Sequence, residues 1–249
     1  MNDQAVLLSA ITAFLGEKFS VDRYPEREQG GVYYPSKRPV RRLGLALEPF
    51  SGLAGWIAAN RPDALWLHRP WKLDLNALPP DTGIIYHHLP FDEYLTMGYN
   101  PRLAERLQVT GPLEPLGYKQ DTSETGAPLP QRPIGMLFDA PPKPVSGWIG
   151  QLESLFGGYD QVDPGRQTVV GRVAVVGAMN DRLVREAANA GAGLYLTGQY
   201  RPSAQEAVTE RGIAVVALGH RRTEAWGLQA LADLLREQWP DLEVIVAGP

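Results

Sequence analysis

The fold class of this chain is decided by residues 172–198, RVAVVGAMNDRLVREAANAGAGLYLTG. Two short apolar runs that each end at a glycine flank a segment in which Asn180 can cap a helix and apolar residues recur at helical spacing. The alternation continues with IAVVALG at 213–219, a helix from about Thr223 to Glu237, and LEVIVAG at 242–248. Strands that alternate with helices in this way predict βαβ units and a parallel sheet, so the fold class is α/β.

The first third of the chain repeats this pattern. Strands are predicted at LGLALE (43–48), DALWLH (63–68) and GIIYHH (83–88), and helices at 51–62 and from Asp92 to Leu107. The region between, about 110–144, is rich in proline and is interrupted by IGMLFD (134–139). Because linkers favour such a composition, we predict two lobes with a boundary at 122/123. The N-terminal α/β lobe spans 1–122 and the C-terminal one 123–249, with the C-terminal helix packing back on the first lobe.

Composition excludes several classes of protein. The chain has 249 residues, is 44% hydrophobic and has a formal net charge of −4, which argues against a nucleic-acid partner. It has no cysteine, so disulfides and thiolate metal sites are excluded. No apolar run reaches the length of a membrane span, and we expect no membrane partner. The N-terminus MNDQAVLLSAITAFLGEKF is typical of an amphipathic helix and not of a signal peptide, so we expect a cytoplasmic protein.

Histidines mark the ends of the predicted strands. The chain has four of them: His68, His87, His88 and His220. Open parallel sheets bind ligands at the carboxyl ends of their strands. Asp92 follows His88 by four residues, and Glu224 follows His220 by the same interval, which places each pair on one side of a helical turn. Such a pair can share one metal ion, or the carboxylate can simply orient the imidazole. His87 is expected on the opposite side of its strand, in a structural role.

Basic residues adjoin these histidines. Arg69 follows His68, and Arg221 and Arg222 follow His220. Guanidinium groups that border one site can hold a phosphate or carboxylate through two hydrogen bonds. The alternative is that these side chains extend into solvent.

Four segments, in order along the chain, resemble the Nif-three-like family, also known as GTP cyclohydrolase type-two homologues. The most specific is 193–235, where a strand ending in Leu-Thr-Gly (196–198) precedes Gly-His-x-x-[ST]-Glu (219–224). Upstream, DALWLHRPW (63–71) looks like the family strand that ends in His-His-Pro, and HHLPFD (87–92) resembles its His-Thr-Asn-x-Asp. RPIGMLFD (132–139) is similar to its Gly-Arg-x-Gly strand. The resemblance therefore covers most of the chain.

The resemblance implies two α/β lobes with mainly parallel sheets around a metal cleft, and a ring-shaped homohexamer. The cleft of the family holds a pair of metal ions, often iron, zinc or manganese, and we expect one or two divalent transition-metal ions in this chain. The positions that match its metal ligands are His68, Asp92, His220 and Glu224. His88 would be a further ligand or a residue that orients one.

Two departures from the family pattern affect the predicted metal ligands. Arg69 replaces the second histidine of His-His-Pro, and a guanidinium cannot act as a metal ligand as imidazole does. After Leu-Thr-Gly, the residues Gln199, Pro202 and Ser203 replace an acid and two histidines of the family. These changes favour a single ion or none.

Two functions follow from the sequence and the resemblance. The first is a divergent metal-dependent hydrolase that acts on a nucleotide-like or phosphate-bearing small molecule, with His88 as the catalytic base. In this function Arg69, Arg221 and Arg222 bind the substrate. The second is a catalytically silent oligomeric scaffold or binding protein in which the metal site is degenerate.

Overall fold

A computed structural model describes residues 6–248 of the chain and contains two compact units. Within the described residues, unit 1 consists of 6–91, 121–129 and 227–248, and unit 2 of 92–120 and 130–226. The predicted lobe boundary at 122/123 stays a prediction. Both units have the mixed α/β composition that the sequence predicts, with a sheet flanked by helices.

The helices and strands are as follows. The helices are α1 (Leu8–Lys18), α2 (Leu53–Asn60), α3 (Leu89–Leu95), α4 (Pro101–Arg106), α5 (Val145–Phe156), α6 (Asp181–Asn189), α7 (Gln205–Arg211) and α8 (His220–Gln238). The strands are β1 (Gly31–Tyr34), β2 (Arg42–Ala46), β3 (Ala64–Leu67), β4 (Gly83–Tyr86), β5 (Glu114–Lys119), β6 (Arg132–Pro144), β7 (Gln161–Asp163), β8 (Val169–Val176), β9 (Leu194–Thr197), β10 (Ala214–Ala217) and β11 (Glu243–Val246). Among the described residues, no helix is both long enough and apolar enough to cross a membrane.

The sheet of unit 1 has the strand order β1-β4-β3-β2-β11. The last four strands are parallel, and β1 pairs antiparallel with β4 at one edge. Leu65, Leu67 and Ile84 of this sheet pack against Leu53 and Ile57 of α2. Because β3 and β4 are parallel neighbours, the residues that follow them meet at the same edge of the sheet.

The sheet of unit 2 has the order β5-β6-β8-β9-β10-β7. Its centre, β8-β9-β10, is parallel and forms the βαβ units that residues 172–198 predict. The side chain of Asn180 accepts a hydrogen bond from the backbone N–H of Leu183 at 2.9 Å, which is the expected cap of α6. Buried residues of α6 and α7 pack on one face of the sheet, and those of α5 on the other.

Two elements near the ends of the predicted pattern differ from the sequence-based expectation. The strand at 242–248 does not extend the sheet of unit 2; it forms β11 beside β2 in unit 1. The helix predicted from Asp92 to Leu107 is two helices: α3 ends at Leu95, and α4 begins at Pro101, where a residue without an N–H is tolerated and the side chain of Asn100 caps the new helix.

The proline-rich middle of the chain contains two strands. It forms β5 and the long strand β6, whose pairing with β8 shifts register between Asp139 and Lys143. Proline lacks an N–H for the ladder, and such an irregularity is where a strand tolerates it.

Candidate metal centre

His68 and His88 lie just beyond the ends of two neighbouring strands. Leu67, the last residue of β3, pairs with Tyr86, the last residue of β4. This register brings the imidazole ring of His68 to a centroid distance of 5.0 Å from that of His88. The parallel pairing of β3 and β4 thus places the two rings in contact.

His68 is fully buried, and its surroundings fix its tautomer. Nδ1 lies 2.9 Å from the backbone oxygen of His87. Because a carbonyl oxygen can only accept a hydrogen bond, Nδ1 carries a proton, and in the neutral ring the lone pair lies on Nε2. A backbone carbonyl on one ring nitrogen is the usual way in which a protein prepares the other nitrogen as a metal ligand. The ring also packs against Phe91 at a centroid distance of 4.9 Å.

The adjacent histidines His87 and His88 have different environments. His87 is buried, and its Nδ1 accepts a hydrogen bond from the indole N–H of Trp66 at 3.2 Å. Burial lowers the pKa of His87 to about 3, so this ring is neutral at physiological pH. His88 is only partly buried, and its Nδ1 lies 3.6 Å from Oε2 of Glu28. His87 therefore has the surroundings of a structural residue, whereas His88 adjoins a carboxylate that the sequence pattern did not indicate.

Asp92, on α3, completes a group of three possible metal ligands. One donor atom from each of His68, His88 and Asp92 lies within 4.8 Å of the other two. Ligand atoms that sit roughly 2.0–2.2 Å from a tetrahedral zinc ion are roughly 3.3–3.6 Å from one another. To share one ion, donor atoms that are up to 4.8 Å apart need to approach one another by at most about 1.5 Å. Two imidazoles and a carboxylate are a donor set that suits zinc and non-haem iron. The residues therefore fit a divalent transition metal.

The helix that carries Asp92 is held by an ion pair. Nε of Arg132, on β6, lies 2.7 Å from Oε2 of Glu93, and both side chains are largely buried. The hydroxyl of Thr96 donates a hydrogen bond to the backbone oxygen of Asp92 at 2.7 Å. This ion pair has no signal in the sequence, because nothing local relates residues 39 positions apart.

His220 and Glu224 form a pair at the start of α8 in unit 2. Nε2 of His220 lies 3.1 Å from Oε1 of Glu224, as the spacing of four residues allows. The Glu224 side chain is buried, whereas that of His220 is 59% exposed. The imidazole is thus accessible while its carboxylate partner is fixed in the protein interior.

The three arginines predicted to bind substrate differ in their contacts. Arg69 is partly buried, and its backbone N–H donates to the oxygen of Leu47 at 2.8 Å. Arg221 is exposed. Nη1 of Arg222 donates to Oδ1 of Asp160 at 2.5 Å, so this guanidinium already contacts a carboxylate that the sequence analysis had not singled out.

Comparisons with known proteins identify the family and the fold of this chain. A family model described as Duf34/NIF3 (NGG1p interacting factor 3) matches residues 75–248, a range that begins after His68 and Arg69. A relative from Pyrococcus abyssi is 26% identical over 253 residues, covering 96% of this chain and 97% of its own length. One from Escherichia coli K12 is 29% identical over 246 residues, with coverages of 92% and 93%. Both relatives bear the name GTP cyclohydrolase 1 type 2 homolog.

Solved structures share the fold. TTHA1606 from Thermus thermophilus superposes with a TM-score of 0.68 at 22% identity, covering 96% of this chain and 97% of its own. Reduced HcgD from Methanocaldococcus jannaschii gives a TM-score of 0.72 at 20% identity, with 97% of both chains covered. The family model spans well over half of the chain, and this protein therefore belongs to the Duf34/NIF3 family.

Proposed function

We propose that this protein is a metal-dependent hydrolase that acts on a nucleotide-like or phosphate-bearing small molecule. The observation that carries the proposal is the group formed by His68, His88 and Asp92, whose donor atoms lie within 4.8 Å of one another. The name of the relatives, GTP cyclohydrolase 1 type 2 homolog, supports a substrate of the nucleotide class.

In this proposal His68 and Asp92 bind one divalent ion of zinc, iron or manganese, and His220 and Glu224 supply further ligands. His68 suits this role because its Nδ1–H donates to the His87 carbonyl and Nε2 is left to coordinate. Glu224 suits it because burial fixes its carboxylate beside the His220 ring. When bound, the ion supplies Lewis acidity that makes a water molecule acidic near neutral pH.

His88 acts as the general base. Its ring is partly exposed, so a water molecule can reach it, and Glu28 lies 3.6 Å from its Nδ1. A carboxylate beside one ring nitrogen orients the imidazole and stabilises the protonated ring after the other nitrogen has accepted a proton. Glu28→Gln should therefore lower kcat more than it raises KM.

Arg69 and Arg221 bind the phosphate of the substrate, since a guanidinium offers paired N–H donors to phosphate oxygens. Arg222 can take part when it exchanges Asp160 for the substrate phosphate. The expected consequence is that Asp160→Asn lowers KM for a phosphate ester, because the competing carboxylate is neutralised.

The test is hydrolysis of p-nitrophenyl phosphate, bis(p-nitrophenyl) phosphate and nucleoside triphosphates by chelator-treated protein, with and without added Zn²⁺, Mn²⁺ or Fe²⁺. We expect a rate that depends on the ion and that is abolished by His88→Gln, although this variant still binds the ion, because His88 acts as the base and not as a ligand. His87→Gln is the matched control, because it changes the neighbouring histidine and can keep an acceptor for Trp66. Equal rates in wild type and His88→Gln would refute the assignment of the base, and the absence of any ion-dependent hydrolysis would refute the enzyme.

One observation favours the second function, a silent oligomeric scaffold. Arg69 stands at the position where the resemblance places a second histidine ligand, and it lies next to His68. A permanent positive charge beside an ion site weakens cation binding. Arg69→His separates the two functions: a hydrolase should gain bound metal from this change, whereas a scaffold whose site is degenerate should remain metal-free.

A further inference from the structure

An aromatic surface adjoins the candidate metal centre in unit 1. This aromatic surface consists of Trp71, Tyr86 and Tyr33. The Trp71 and Tyr86 rings meet edge to face at a centroid distance of 5.4 Å, and Tyr86 meets Tyr33 in the same way at 5.8 Å. The rings hold one another in place, because edge-to-face pairs of this kind are mutually attractive.

The aromatic surface reaches the proposed catalytic base. The Trp71 and His88 rings are perpendicular, with a centroid distance of 6.2 Å. Tyr86 and His88 are two residues apart at the end of β4, which directs their side chains to the same side of the sheet. A molecule that touches His88 can therefore also touch Trp71.

Trp71 is both exposed and fixed. Its side chain is 54% exposed, although tryptophan is usually among the most buried residues. It occupies a tight turn in which the N–H of Leu73 donates to the oxygen of Pro70 at 2.9 Å, and Pro70 is buried. Water thus reaches an indole ring whose backbone is anchored on both sides. Exposed or partly exposed apolar side chains that form one contiguous patch, as Trp71, Tyr86 and Tyr33 do, are typical of a binding site.

We infer that Trp71, supported by Tyr86 and Tyr33, stacks on a planar aromatic ring of the substrate. An indole is the largest stacking surface that a side chain offers, and stacking tolerates any flat heterocycle. A nucleotide has a base and a phosphate separated by one sugar, so its base can lie on Trp71 while its phosphate lies near His88. This inference rests on the proposed function for the identity of the reacting group, but the ring preference itself needs no metal and no turnover.

Ring stacking predicts an order of affinities. AMP, UMP and ribose 5-phosphate share the same phosphate and sugar and differ in the ring, which is a purine, a pyrimidine or absent. Stacking increases with ring area, so AMP should bind more tightly than UMP, and UMP more tightly than ribose 5-phosphate. We expect the dissociation constant of AMP to be lower than that of ribose 5-phosphate by a factor of about ten or more.

The experiment measures the three dissociation constants by calorimetry, with and without Mn²⁺, for wild type and three variants. Trp71→Leu keeps an apolar side chain but removes the stacking face, and should bring the three affinities to within about two-fold of one another. Trp71→Phe should keep the order. Tyr118→Leu, which removes another half-exposed aromatic ring on β5, is the matched control and should behave as wild type.

Three outcomes of the binding experiment would overturn the inference: equal affinities in wild type, an unchanged order in Trp71→Leu, or no binding of any of the three compounds. Size-exclusion chromatography of the same samples tests whether Trp71 is instead an oligomer contact. An oligomer that Trp71→Leu dissociates and Tyr118→Leu does not would also overturn it. A ring preference that persists without any ion-dependent hydrolysis would support the stacking surface while refuting the hydrolase, so the two failures are distinguishable.

Discussion

Substituting Arg132 by methionine should destabilise unit 2 and weaken the position of Asp92. The Arg132 side chain is 3% exposed and pairs at 2.7 Å with Glu93, which is 13% exposed. Removing one partner of a buried ion pair leaves a desolvated charge and costs roughly 3–5 kcal/mol. Because Glu93 keeps some contact with water, we expect the low end, about 3 kcal/mol. The methionine retains most of the apolar stem of arginine, so little of this loss is due to a cavity.

Urea unfolding followed by far-ultraviolet circular dichroism measures this cost as a shift of the midpoint. The double variant Arg132→Met/Glu93→Met should recover most of it, because an apolar pair of similar volume often equals a buried ion pair in stability. Arg182→Met is the matched control. Arg182 pairs at 3.0 Å with Glu186 on the surface of α6 and is 64% exposed, so its loss should cost less than about 1 kcal/mol.

The comparison of the two single variants decides whether the ion pair holds α3. A cost of Arg132→Met no larger than that of Arg182→Met would refute the reasoning. A large cost that the double variant does not recover would also refute it, since the stability would then come from the arginine alone. If the ion pair holds α3, Arg132→Met should also displace Asp92. The variant should then bind Zn²⁺ more weakly than wild type in the absence of urea.

Three further predictions concern stability. Burial lowers the pKa of His87 to about 3, so below about pH 6.5 the unfolded chain binds a proton that the folded chain does not. The free energy of unfolding therefore decreases as the pH is lowered below about 6.5, by up to about 1.4 kcal/mol per pH unit. Between pH 7 and pH 5, urea unfolding should show a decrease in this free energy that is about 2 kcal/mol larger in wild type than in His87→Gln. Gly30 has φ +77°, and a Cβ at this position would collide with the backbone oxygen of Tyr86. Gly30→Ala should therefore lower Tm by several degrees in a thermal melt. Gly52 also has a positive φ but no atom close to the position of a Cβ, so Gly52→Ala should lower Tm less. Asn180→Ala removes the cap of α6 and should cost about 1 kcal/mol in urea unfolding, and Asn180→Asp should restore most of it.

Local patterns predicted much of the fold. The alternation in 172–198 gives β8, α6 and β9, because hydrophobic spacing and a capping residue act within a few positions of one another. The spacing of His220 and Glu224 likewise predicts a contact that the helix α8 itself provides. These features depend on the geometry within individual helices and strands, so the spacing of residues in the sequence predicts them.

Pairing between distant segments was not predictable in the same way. β11 is an apolar strand that follows β10 along the chain, yet it pairs with β2, far away in sequence. The Arg132–Glu93 ion pair and the Trp71–Tyr86 contact also depend on which strands are neighbours and in what register. No local pattern around Trp71 indicates a binding role, and only the folded structure reveals that it lies beside His88.

In the candidate site, too, some residues are predictable from local patterns and others are not. The strand ends and helical spacing singled out His68, His88 and Asp92 in advance, and the structure brings them into one group. The partner of His88, Glu28, lies in a short helical turn at 26–28 with no pattern that would indicate a role. Its contribution appears only when the chain is folded.

Metal content per chain tests the central claim most directly. Elemental analysis of protein purified without a histidine tag or chelator, then incubated with Zn²⁺, Mn²⁺ and Fe²⁺ and desalted, should give one or two equivalents of a transition metal. His68→Ala and His220→Ala should each lose metal without unfolding, whereas His87→Gln should keep it. No metal in wild type would contradict the assignment of the site and leave the silent scaffold as the function. Full retention of metal in His68→Ala would contradict the assignment of His68 as a ligand.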